Sequence, residues 1–102
     1  MDQNKNMKAL MIIANAGFSE EIIEITREEG ARGATIMNAR GESALREKVM
    51  NITVDSEREI ILCLVDEEAA ESIMHAIKAK AGHGTPPNSI CFAMPVDNVI
   101  GI

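Results

Sequence analysis

Residues 59–70 read Glu59-Ile60-Ile61-Leu62-Cys63-Leu64-Val65-Asp66-Glu67-Glu68-Ala69-Ala70, and the change of character at Asp66 decides the fold. The run before Asp66 is apolar, short and free of alternation, which describes a strand buried on both faces. Asp66 then offers a side-chain oxygen to the free N–H groups of a helix start, and Glu67 and Glu68 put negative charge where the helix dipole favours it. Ala70, Ile73, Met74 and Ile77 recur at helical spacing as far as Ala81, and Gly82 ends the pattern. Residues 89–96 form a second apolar run, completing strand, helix, strand.

Working backwards, the same plan appears once more. Residues 7–15 form a compact apolar run bounded by Asn15 and Gly17, a strand. Ser19 reads as an N-cap, with Glu20 and Glu21 in the first turn and Phe18 set against Ile23 as a hydrophobic staple. Ile22, Ile23, Ile25 and Thr26 supply an apolar face, and Gly30 fits the left-handed position that ends a helix. Residues 33–40 read as the next strand, with Ala34, Ile36 and Asn38 on one face and Thr35, Met37 and Ala39 on the other. Two strand–helix–strand units give an α+β fold, the ferredoxin-like βαββαβ plan: a four-stranded antiparallel sheet with two helices on one face. The strands are apolar on both faces, so the second sheet face needs a cover. The simplest cover is another copy of the chain, and a homo-oligomer is expected.

At 102 residues there is length for one domain, residues 7–102, behind a polar leader at residues 1–6 expected to be disordered. No Trp or Tyr is present, and Phe18 and Phe92 are the only aromatic residues, which excludes functions built on aromatic stacking. A net charge of −6 repels phosphate backbones and anionic lipid, so nucleic acid is not an expected partner. Lys5 and Lys8 precede an apolar stretch closed by Ala14-Asn15-Ala16, but that stretch is too short for a signal peptide or a membrane span. A cytoplasmic location without membrane insertion is expected. Cys63 and Cys91 read as small buried hydrophobes, and Met11, Met37, Met74 and Met94 as fillers on core-facing positions, so no metal site is expected. No catalytic set of side chains stands out, and a non-enzymatic role follows.

Two connections exceed what packing requires. Residues 42–57 span a gap that a hairpin closes with two to five residues, and such length usually serves function. Leu45, Val49 and Ile52 stand at i, i+4 and i+7, the spacing of one helix side, and with Arg46 they are the candidate docking residues for a partner protein. The alternative is that the stripe packs on the protein's own sheet or on a neighbouring subunit, and that Ile52 and Val54 extend the third strand. The other connection, residues 82–88, reads Gly82-His83-Gly84-Thr85-Pro86-Pro87-Asn88, and its backbone amides are suited to face a ligand.

Ala31-Arg32-Gly33-Ala34-Thr35-Ile36, Arg40-Gly41, Ala81-Gly82 and the segment Ile90-Cys91-Phe92-Ala93-Met94-Pro95-Val96-Asp97-Asn98-Val99-Ile100 together resemble the PII nitrogen-regulatory signalling family. The resemblance covers residues 7–102. It implies a homotrimer, a mobile T-loop at residues 42–57 that docks on a target such as a membrane transporter, a B-loop at 82–88, and adenine-nucleotide sites in clefts between subunits. Arg32, Thr35, Arg40, Gly41, Lys80, Gly82, His83 and Gly84 are the residues nearest that expected cleft. The effector chemistry fits less well. Ile90 stands at the family's phosphate-binding Lys, Gly101 stands at the first of two C-terminal arginines, and the only Gln is Gln3, so the standard ATP and 2-oxoglutarate sites are incomplete. A nucleoside monophosphate or bicarbonate suits the remaining groups better. Lacking Tyr, the chain cannot undergo the tyrosine uridylylation used by some members. Arg32 and Arg40 as plain surface ion pairs are the alternative reading. An ACT-like metabolite module without a docking loop, or a small metal-handling trimer, are the alternative functions.

Overall fold

The computed structural model describes residues 6–41, 48–49, 52–53 and 56–101. In chain order the elements are β1 (Met7–Asn15), α1 (Ser19–Glu28), β2 (Thr35–Gly41), β3 (Lys48–Val49), β4 (Ile52–Thr53), β5 (Ser56–Asp66), α2 (Glu67–Ala81) and β6 (Ile90–Pro95). Four strands form one antiparallel sheet in the order β2-β5-β1-β6, while β3 and β4 pair separately as a short ribbon. Without the ribbon this is the βαββαβ plan.

Strand parity sorts the side chains. Leu10, Ile12 and Ala14 of β1 and Ile61, Cys63 and Val65 of β5 are buried against Ile22 and Ile25 of α1 and Ala70, Ile73, Ile77 and Ala81 of α2. The helices lie over β5, β1 and β6 and leave the edge strand β2 largely uncovered. On the opposite face the register builds three apolar rows: Leu64–Ala9–Met94, Leu62–Met11–Phe92 and Ile60–Ile13–Ile90, with Met37 beside Ile60. Among the described residues, no element covers these rows. Leu64 is 42% exposed, Ile90 64%, Phe92 38%, Met94 36% and Met37 38%.

Several local expectations need correcting. Ser19 is the first helical residue of α1 and Phe18 is its N-cap, with no side-chain cap, so Phe18 is not at the position before the cap that a staple uses. The entry is set instead by Gly17, whose N–H donates to Glu59 Oε1 at 2.8 Å, and by the Ile22 N–H to Phe18 O bond. Asp66 does cap α2, its Oδ1 accepting from the Ala69 N–H at 2.8 Å. Gly30, at φ +115°, ends α1 in the left-handed conformation as read. The third long strand is longer than residues 59–65: Ser56 and Glu57, placed in the long connection by sequence, belong to β5. Of the methionines read as core-facing, only Met74 packs on the core; Met11, Met37 and Met94 fall on the uncovered face because strand parity puts them there. Cys63 is buried, whereas Cys91 is half-buried at the edge strand.

Candidate functional site

The end of the sheet where β1 and β2 finish and β5 and β6 begin gathers most of the candidate chemistry. β1 ends at Asn15 opposite Arg58, β2 ends at Gly41 opposite Ser56, and Ile90 opens β6 opposite Ile13. The 82–88 loop lies against this end. Its two turns are held by Thr85, whose Oγ1 donates to Gly82 O at 2.6 Å and accepts from the Asn88 N–H at 3.4 Å. Ser89 closes the loop by donating its N–H and its Oγ to Ala81 O, at 2.9 and 2.6 Å.

Asn15 joins the loop to the sheet. Its main-chain N–H donates to Pro87 O at 2.9 Å, its Nδ2 donates to Pro86 O at 2.9 Å, and its Oδ1 accepts from Arg58 Nη1. Ala16 N–H adds a bond to Glu57 O at 3.1 Å. In sequence, Asn15 reads only as a strand terminator, and Arg58 and Glu59 carry no functional signal.

Of the candidate ligand residues, Arg32, Arg40, Gly82 and His83 line three separate hollows of the single chain, and the others lie outside them. Arg40 lies in a groove of ≈ 490 Å³ with Asn38, Glu57, Arg58 and Glu59. Gly41 adjoins it, close against the Arg58 side chain. His83 and Gly82 line a second groove of ≈ 550 Å³ beside α2, together with Glu71, Met74, His75 and Cys91; Gly84 is exposed next to it. Arg32 lines a smaller hollow of ≈ 210 Å³ after α1 with Thr26 and Arg27, while Thr35 is exposed at the start of β2, opposite Leu62. Lys80 Nζ lies 3.8 Å from Glu28 Oε2 across the two helices, a pair more than half exposed. Such a pair adds little to stability.

Of the docking candidates, Val49 and Ile52 are direct register partners across the β3–β4 ribbon, so the helical stripe expected of residues 45–52 is not what these two residues form. Leu45 and Arg46 lie outside the described residues.

Burial pushes the Cys91 thiol up to about 11, with the nearby Cys63 adding to the shift. Burial also raises Cys63, partly offset by a hydrogen bond with Thr26. Both sulfurs are therefore protonated at neutral pH and poor as nucleophiles or metal ligands. Among the described residues, no three His, Cys, Asp or Glu side chains converge as a metal site. No described helix is long and apolar enough to cross a membrane.

The profile of the family described as nitrogen regulatory protein P-II matches residues 7–102. The chain belongs to that family. No curated protein matches this P-II chain in sequence. Among solved structures, it is similar to Bacillus subtilis GlnK in complex with ATP, at TM-score 0.72 and 21% identity, covering 94% of this chain and 88% of that one. It is also similar to CPII, a nitrogen regulatory PII-like protein from Thiomonas intermedia bound to ADP, AMP and bicarbonate, at TM-score 0.71, 16% identity, and 94% and 96% coverage. A PII-like signalling protein from Thermus thermophilus matches at TM-score 0.68 and 22% identity, covering 86% and 84%. At these identities the likeness is one of fold. A P-II chain of this fold is a regulatory protein by family.

Proposed function

We propose that this P-II protein is a cytoplasmic, non-enzymatic homotrimer that holds a small anionic metabolite in its intersubunit clefts and controls a partner protein, such as a membrane transporter, through residues 42–57. The observation that carries the reading is the junction at one sheet end, where the 82–88 loop and both roots of the 42–57 connection meet through Asn15. A ligand on the loop is thereby adjacent to the segment that would answer it. Arg40, Gly41, Gly82, His83 and Gly84 are the proposed ligand residues at this end. Arg32, Thr35 and Lys80 would join them from a neighbouring subunit, consistent with their separation in one chain. The uncovered apolar rows of the sheet support the trimer.

Adenine nucleotide and bicarbonate are the ligand classes named for the structural relatives. With Ile90 and Gly101 in place of phosphate-binding cations, this chain favours fewer charges than a triphosphate carries. Thermal-shift screening against ATP, ADP, AMP, cyclic dinucleotides, S-adenosylmethionine and bicarbonate tests this. AMP or bicarbonate should raise Tm more than ATP does. Micromolar ATP binding would overturn the reading of Ile90 and Gly101, and no shift with any of them would remove the small-anion reading.

A metabolite module without docking is the second reading, favoured by the paired β3–β4 ribbon within the connection. Deleting residues 44–53 separates the two. A docking role requires loss of partner binding with ligand binding kept; unchanged partner binding selects the second reading.

A further inference from the structure

Pro86 and Pro87 lack N–H groups, so each presents one backbone polar atom, its carbonyl oxygen, and Asn15 donates to both. The remaining polar atom of that side chain, Oδ1, accepts from Arg58. Arg58 in turn lies along Gly41, where an added Cβ would stand 3.4 Å from its Cγ and its Nε. Gly41 and Ser56 are register partners, so the long connection leaves and re-enters the sheet at this pair. The bonds from Ala16 N–H to Glu57 O and from Gly17 N–H to Glu59 Oε1 fasten the returning strand to the same short segment after β1.

We propose that Asn15 is a coupling residue, whose carboxamide passes displacements of the Pro86-Pro87 loop through Arg58 to both roots of the connection between Gly41 and Ser56. A carboxamide bonded at both ends cannot follow one partner without losing the other, and each lost bond of a half-buried group carries a cost. Consecutive prolines hold φ near −65°, so movement at Thr85 is not absorbed before it reaches the carbonyls that Asn15 holds. The inference deepens the reading of the loop as ligand-holding and rests on it for its biological use, although the mechanical link itself exists without ligand.

A ligand-free double-mutant cycle on the full chain tests the link. Thr85→Ala removes the hydroxyl that braces the loop. Hydrogen exchange of amides in residues 56–59 should then accelerate by about threefold or more in the native background and by less than about 1.5-fold when Asn15→Ala is also present. Equal acceleration in both backgrounds, or none in the native one, overturns the coupling role and leaves Asn15 as a structural residue whose effects add. Asn15→Asp, which keeps Oδ1 and lacks the amide donors, replaces Asn15→Ala in the cycle if the alanine variant does not fold. Because no ligand enters, failure here leaves the thermal-shift result standing, and absence of ligand binding leaves this result standing.

Discussion

A Cβ placed on Gly82 would come within 2.9 Å of the Lys78 carbonyl oxygen, a backbone atom that cannot swing aside. Gly82 is thus demanded by the way α2 hands the chain to the loop, whatever the loop binds. Gly82→Ala should cost about 1–3 kcal/mol, read as a lowered urea midpoint with an unchanged slope. Cys91 gives a residue-level prediction of a different kind. Its thiol has a pKa of about 11 when folded against 9.0 ordinarily, so above pH 9 the unfolded chain gives up this proton before the folded one does. Stability attached to Cys91 is complete below pH 9 and falls as pH rises towards about 11. Urea melts across that interval should show a shallower decline for Cys91→Ala than for the native chain. An equal decline would mean that Cys91 titrates as an unburied thiol.

At the scale of elements, the two helix starts differ. Asp66 caps α2 through Ala69, so Asp66→Ala should destabilise by about 1 kcal/mol, whereas Ser19→Ala should cost below about 0.5 kcal/mol because Ser19 caps nothing. Urea denaturation of the two variants side by side checks this, and equal losses would show that Ser19 does cap. The contrast also explains what could be read in advance. Asp66, Gly30 and the apolar run of β5 act through neighbours a few residues away, and the sequence displays such chemistry directly. The entry to α1 depends on Glu59, 42 residues beyond Gly17. Asn15 depends on Arg58 and Pro86, 43 and 71 residues away. Those partners exist only once the sheet order is known. Val49 and Ile52 fitted two periods at once, and only strand pairing decides between them. For the methionines, composition gave the residue type its usual place in a core, but parity along β2 and β6 assigns Met37 and Met94 to the uncovered face.

For the whole molecule the decisive surface is that face, with its rows running from Leu64 to Met94, from Leu62 to Phe92 and from Ile60 to Ile90. Light scattering should return three subunits, and a clean native monomer would sink the argument from the uncovered sheet. Phe92→Asp should shift the population to monomer, since a carboxylate left uncompensated in a buried interface costs about 3–5 kcal/mol. Some of the same rows depend on the order of synthesis. The central strand β1 is made first among the strands but hydrogen-bonds to β5 and β6, so its last neighbour is available only after Pro95 has left the ribosome. Translation proceeds at about 5–20 residues per second, and long-range pairing of this kind folds late. Phe92, Met94 and Ile90 therefore join the row residues of β1 and β5 only once β6 has been made, and until then β1 keeps an unpaired edge beside a partial apolar patch, the state in which the chain is most exposed to its neighbours on the same message.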